Sequence, residues 1–67
     1  MITVTINGEP RQFEQPLPVR DLVDRLGLAG KRIAIERNGE IVPRSEFSAR
    51  SISDGDRLEI VVAVGGG

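Results

Sequence analysis

Residues 57–64 read RLEIVVAV and residues 65–67 read GGG. In the octet, Leu58, Ile60 and Val62 fall on one face of a strand, and Arg57, Glu59 and Val61 fall on the other. The start of the chain, MITVTIN, carries the same period of two. Ile2, Val4 and Ile6 alternate with Thr3, Thr5 and Asn7, and the segment is rich in β-branched residues. These are the two most apolar strands of the sequence. They are expected to lie side by side at the centre of one sheet and to run parallel, with a helix in the crossover between them.

The intervening segments support that order. Asn7-Gly8 is a strong hairpin signal, because a type I′ turn needs positive φ at both central residues. A second strand is expected over roughly Glu9 to Glu14, with Phe13 as its inward anchor. Pro10 has no amide to donate, so this strand belongs at a sheet edge. The period then changes. In QPLPVRDLVDRLGL (residues 15–28), Val19, Leu22, Val23 and Leu26 are spaced i, i+3, i+4 and i+7, which is one helical face. Pro18 suits the first helical turn. The cap in front of it is weak, since Leu17 has no side-chain oxygen. Asp21 lies near the positive end of the helix dipole, and Gly27 suits the position just past the helix end. RIAIERNGEIV (residues 32–42) reads as a second hairpin about Asn38-Gly39, with Ile33 and Ile35 on one face. Pro43 ends it. PRSEFSARSIS (residues 43–53) has no clear period and is expected to be an irregular or single-turn connection, with Phe47 and Ile52 under the core. The run SDGD (residues 53–56) is a polar turn.

The expected fold is therefore α+β: a mixed sheet of about five strands packed on one main helix. This is the β-grasp arrangement, the architecture of ubiquitin. Residues 1–64 are expected to form the folded domain, and residues 65–67 a flexible glycine tail.

Composition narrows the function. Nine basic and ten acidic residues give a net charge of −1, which lacks the basic footprint of a nucleic-acid module. Phe13 and Phe47 are the only aromatics, too few for a base-stacking platform. The absence of Cys and His removes disulfides, zinc and iron–sulfur ligation, the side chain that titrates near neutrality, and the thiol nucleophile. An independent enzyme is not expected. Asp54 and Asp56 around Gly55 read as a turn rather than a metal loop, which needs more oxygen ligands. The two NGE triplets read as two hairpins, and Lys31-Arg32 as part of a solvated charged face. With no basic and apolar leader at the start and no run of about 20 apolar residues, no signal peptide or membrane span is expected, and the cytoplasm is the expected location.

Glycine costs more backbone entropy on ordering than any other residue. A frayed end is the ordinary meaning of such a terminus. Placed directly after the last strand, however, a side-chain-free thread can enter an enzyme channel, and its tip carries an unhindered carboxylate. Gly67 is the expected site of modification, with Gly66 and Gly65 giving a slender approach. Val61, Ala63 and Val64 are the candidate docking patch beside it.

The chain resembles the ThiS-type sulfur-carrier proteins of thiamin biosynthesis over its whole length. The residues that carry the resemblance are the first strand with NGEPR, the VRDLVDRLGL helix, IAIERNGEIVPRS, DGDRLEIVVAV and the terminal GGG. That family often has Thr before the helix valine, where this chain has Pro18. The resemblance implies that an E1-like, ATP-dependent enzyme of ThiF type adenylates the Gly67 carboxylate. Cysteine-derived sulfur would then make the thiocarboxylate, and a thiazole synthase of ThiG type would receive the sulfur. It further implies that ATP and magnesium are used by the activating partner and that no cofactor is bound here. The rival readings are a sulfur carrier for molybdopterin or another product, a ubiquitin-like protein modifier, and a passive binding module with an idle tail.

Overall fold

A computed structural model describes residues 1–63 of the chain. The first hairpin pairs β1 (Ile2–Ile6) with β2 (Glu9–Phe13) from Ile2 opposite Phe13 to Ile6 opposite Glu9. Its turn has φ of 51° at Asn7 and 84° at Gly8, the two positive values that a type I′ turn demands. The second hairpin, β4 (Ile33–Arg37) with β5 (Glu40–Val42), repeats the device at Asn38 and Gly39. Between the hairpins come the two-residue strand β3 (Leu17–Pro18) and helix α1 (Val19–Arg25). After them come a 3₁₀ turn (Arg44–Glu46), the short strand β6 (Ser51–Ile52) and the last strand β7 (Arg57–Val62).

The sheet order is β2-β1-β7-β4-β5. β7 is central, parallel to β1 and antiparallel to β4. β2, which contains Pro10, lies at the edge. This is the expected mixed α+β arrangement. One face of the sheet contributes Ile2, Val4, Ile6, Ile35, Val42, Leu58 and Ile60 to the core. Val19, Leu22 and Val23 of α1 pack against them, with Leu17, Phe47 and Ile52 closing the side. Phe13, Leu26, Leu28 and Ile33 are half-buried at its margin.

Three local readings need correction. The helix cap is Pro18, not Leu17, and it makes no side-chain cap bond. Leu17 instead pairs with Ile52 in a two-stranded ribbon, β3-β6, that the lack of periodicity in residues 43–53 concealed. The helix start is satisfied from outside: the Val19 amide donates to the Arg50 carbonyl at 2.8 Å and the Arg20 amide to that of Phe47 at 3.0 Å. A weak local cap is thus replaced by tertiary partners for the same orphan amides. The third correction is Val62. It shares the strand face of Leu58 and Ile60 but is 40% exposed. A seven-residue helix is about 10 Å long, while a six-residue strand spans about 20 Å, so α1 cannot cover the far end of β7. The helix ends as its glycine implies. Gly27 has φ 72°, its amide donates to Asp24, and the Leu28 amide reaches back to Val23, the two bonds of a Schellman motif.

The polar turn before β7 holds a buried carboxylate. Asp56 is 7% exposed. Its Oδ2 accepts from Arg37 Nε at 2.9 Å and from the Ser53 amide at 2.8 Å, and its Oδ1 accepts from Asn38 Nδ2 at 3.1 Å. Burial pushes this carboxyl up, but the Ser53, Asn38 and Arg37 donors together with the Arg37 charge outweigh it and hold the group below its ordinary 3.8. Because the folded value is depressed, the carboxylate stabilises the fold above the unfolded value. That contribution is lost as pH falls through the lower, folded value. Asp56→Asn is expected to cost about 2 kcal/mol at neutral pH. The gap to the parent should close in acid, measured by urea unfolding of both proteins at about pH 7 and about pH 2.

Candidate functional site

Sequence reasoning put the functional residues where β7 runs out of the sheet, and the structure shows how that exit is held. β7 and β1 share only a short parallel register, Thr5 with Arg57 and Ile6 with Leu58. Beyond it, the Asn7 amide donates to the Leu58 carbonyl at 2.9 Å. The Asn7 side chain then takes over from the backbone. Its Oδ1 accepts from the Ile60 amide at 2.8 Å and its Nδ2 donates to the Ile60 carbonyl at 3.1 Å. One side-chain amide thereby imitates the next residue of a strand. The turn that makes Asn7 favourable also aims this amide at β7, since positive φ is tolerated by Asn better than by most residues.

On the other edge, β4 pairs with β7 as far as Ile33 opposite Val62. The Ala63 amide donates to the Arg32 carbonyl at 2.8 Å, so the strand is tied on this edge up to the last described residue. Asn38 mirrors Asn7 at the opposite end of β7: its Oδ1 accepts from the Arg57 amide and its Nδ2 binds Asp56. The two NGE triplets are indeed hairpin turns. Reading them only as turns missed that both asparagine side chains splice onto the last strand. The signal available was the pairing of two identical turns with one central strand.

Of the candidate docking residues, Val61 is 63% exposed and Ala63 is exposed. Val64 lies outside the described residues, as do Gly65, Gly66 and Gly67. Val61 stands opposite Ala34, which is also exposed, in one cross-strand row of the open sheet face. The neighbouring row runs Ile41, Glu36, Glu59. Ala34 and Ile41 were not anticipated as parts of this face, because Ala and a hairpin isoleucine carry no local mark of exposure. The face is apolar at the exit and acidic one row back.

Among the described residues, no group of three or more His, Cys, Asp or Glu side chains is placed to hold a metal ion. No described helix is long and apolar enough to cross a membrane. Among the described residues, the last three before the strand leaves the sheet are Val61, Val62 and Ala63, whose side chains carry no nucleophile or base. The arrangement holds the end of β7 against β4 and clear of the helix.

The family model described as the ThiS family matches residues 4–67, which takes in the glycine run at 65–67. The chain is 37% identical over 63 residues to the sulfur carrier protein ThiS of Bacillus subtilis, covering 92% of this chain and 96% of that protein. It is 45% identical over 64 residues to a thiazole synthase of Paramagnetospirillum magneticum, where it spans 96% of its own length but only 20% of the synthase. The fold superimposes on the crystal structure of the thiamine biosynthesis protein ThiS from Geobacter metallireducens with a TM-score of 0.84 and 33% identity, covering 98% of this chain and 100% of that one.

Replacing Asn7 by Asp keeps the acceptor for the Ile60 amide and the tolerance of positive φ, but removes the donor to the Ile60 carbonyl. Asn7→Asp is expected to cost about 1 kcal/mol. A fall in melting temperature of about 4–8 °C checks it.

Proposed function

The chain belongs to the ThiS family of sulfur carriers, and from that premise we propose that Gly67 is the atom-bearing end of the carrier and that its sulfur goes to the thiazole moiety of thiamin. The observation that carries this reading is the extent of the family match. It runs through the glycine residues to residue 67.

The chemistry follows from what a carboxylate can do. An α-carboxyl group is anionic near neutrality and a poor electrophile. In the proposed cycle, an E1-like enzyme of ThiF type transfers the AMP of ATP to the Gly67 carboxylate and releases pyrophosphate. ATP and magnesium are held by that enzyme. A persulfide formed from cysteine sulfur then attacks the acyl carbon and AMP leaves, and a thiol reductant supplies two electrons to break the S–S bond of the acyl disulfide and leave the thiocarboxylate. Gly65 and Gly66 have no side chains, so this stretch of chain fits a channel that side chains would block. The folded head is the handle, with Val61, Ala63 and Val64 as the docking patch nearest the thread. This chain acts as a co-substrate rather than an enzyme, and the work is cytoplasmic.

A thiazole synthase of ThiG type is the proposed acceptor. Its support is the thiazole synthase of Paramagnetospirillum magneticum, about a fifth of which is similar to this chain. Two functions found in one polypeptide are often functions that meet, and here a carrier-like segment accompanies a synthase. The same comparison favours thiazole over molybdopterin as the product.

Intact-mass measurement of the protein from its native cells, with fragmentation across residues 64–67, tests the reading. Exchange of one oxygen for sulfur is expected at Gly67, and fragmentation separates it from oxidation of Met1, which adds nearly the same mass. A plain carboxylate that persists in cells lacking the acceptor enzyme overturns the proposal. Deletion of Gly66 and Gly67 should abolish sulfur transfer and leave the melting temperature within about 1 °C, because chain termini generally contribute little to stability.

A further inference from the structure

On the helix side of the sheet, next to the exit of β7, lies a groove of about 250 Å³. Its floor is apolar, made of Val23, Leu28, Ile33 and Phe47. Val23 and Phe47 are buried parts of the core, whereas Leu28 and Ile33 are half-buried at its margin. Its rim is cationic. Arg20, Lys31 and Arg44 line it and are all exposed, against a single acid, Asp24. Arg44 is held across the groove by a bond from its guanidinium to the Lys31 carbonyl at 2.9 Å. Neither salt bridge among the described residues uses any of the three cations.

Three features together define the occupant. The volume lies below the roughly 300–1,000 Å³ of pockets that enclose whole small ligands, so it fits a bulky side chain rather than a metabolite. The chain carries a net charge of −1, yet this rim gathers three cations around an apolar floor, which is complementary to an acidic and apolar protein segment. The groove is also continuous with the exit. Ile33 in its floor stands opposite Val62, and Lys31 on its rim precedes Arg32, whose carbonyl holds Ala63.

We propose that this groove is a second docking site for the enzymes that act on the carrier, and that it receives a partner segment in which one bulky apolar side chain is flanked by carboxylates. The proposal rests on the carrier reading for the identity of the partner. The groove anchors the partner on the helix side, while Val61 and Ala34 face it on the open side of the sheet. A partner gripping both would hold the end of β7 between two contacts, and that fixes where the thread begins.

The test uses the full chain in two assays. In the first, the ¹⁵N-labelled protein is titrated with a capped peptide in which one phenylalanine is flanked by glutamates. Shifts confined to the amides of residues 20–33 and 44–48 support the proposal; no shifts, or shifts centred on Val61, overturn it. In the second assay, the purified E1-like enzyme adenylates wild type, Lys31→Glu, Arg44→Glu and Ser48→Trp. Ser48 lines the groove and is exposed, so a tryptophan there fills the groove without entering the core. Each variant is expected to raise the KM for the carrier about fivefold with kcat unchanged. Unchanged KM in all three overturns the groove. Failure of the wild type to be adenylated counts against the carrier reading instead, and the peptide titration then judges the groove alone.

Discussion

The parallel seam between β1 and β7 is the constraint from which the rest of the structure follows. Antiparallel neighbours can be joined by a two-residue turn, but parallel neighbours need a crossover of a dozen residues or more. Everything between Phe13 and Arg57 is that crossover: the helix that covers the sheet, the hairpin that supplies the other neighbour of β7, and the 3₁₀ segment that closes the side. The seam itself is short, and side chains lengthen it at both ends. Asp54 Oδ1 accepts from the Thr3 amide at 2.7 Å before the strand begins, and the Asn7 amide clasps Ile60 after the register ends. Between them the backbone of the turn takes part, with the Gly55 amide donating to Thr3 and the Thr5 amide to Asp56.

A central strand that comes last in the chain has a functional consequence. The strand is held on both edges while its end points out of the sheet. The helix is too short to fold over that end, so Val62 remains exposed on the helix side, while Val61 stands on the open face that no helix covers. The exposure of Val62 thus follows from one proportion, the length of α1 against the length of β7. The basic-rimmed groove lies along the flank of the helix, between Arg20, Val23 and Asp24, the residues after Gly27 and the segment that follows the second hairpin.

Stability at the other end of β7 rests on polar groups. Asp56 is buried at the entry to the strand and is satisfied by donors from the β4 end, the second turn and its own turn. A chain of 67 residues with no Cys has a small core and no disulfide to support it. An ion-paired carboxylate with three good bonds is affordable there only because none of its partners is left unmatched. No buried side-chain polar atom among the described residues lacks a hydrogen-bond partner.

What the sequence by itself determined is local and periodic. Two Asn-Gly pairs placed two type I′ turns, because few other residues accept positive φ at both positions. The i, i+3, i+4, i+7 spacing placed the helix, Gly27 its end, and Pro10 the edge strand. The alternating apolar runs of β1 and β7 placed the centre of the sheet. Tertiary structure decided whatever depends on residues far apart in the chain meeting. The helix start is capped by the Arg50 and Phe47 carbonyls, Leu17 pairs with Ile52, and Asn7 reaches Ile60 across fifty-three positions of sequence. Asp56 looked like one more polar turn residue, and burial with Arg37 and Asn38 made it a fastening of the fold. Periodicity reports which face of an element is apolar. It does not report how far a neighbouring element extends over that face, and that extent is what left the end of β7 open on the helix side.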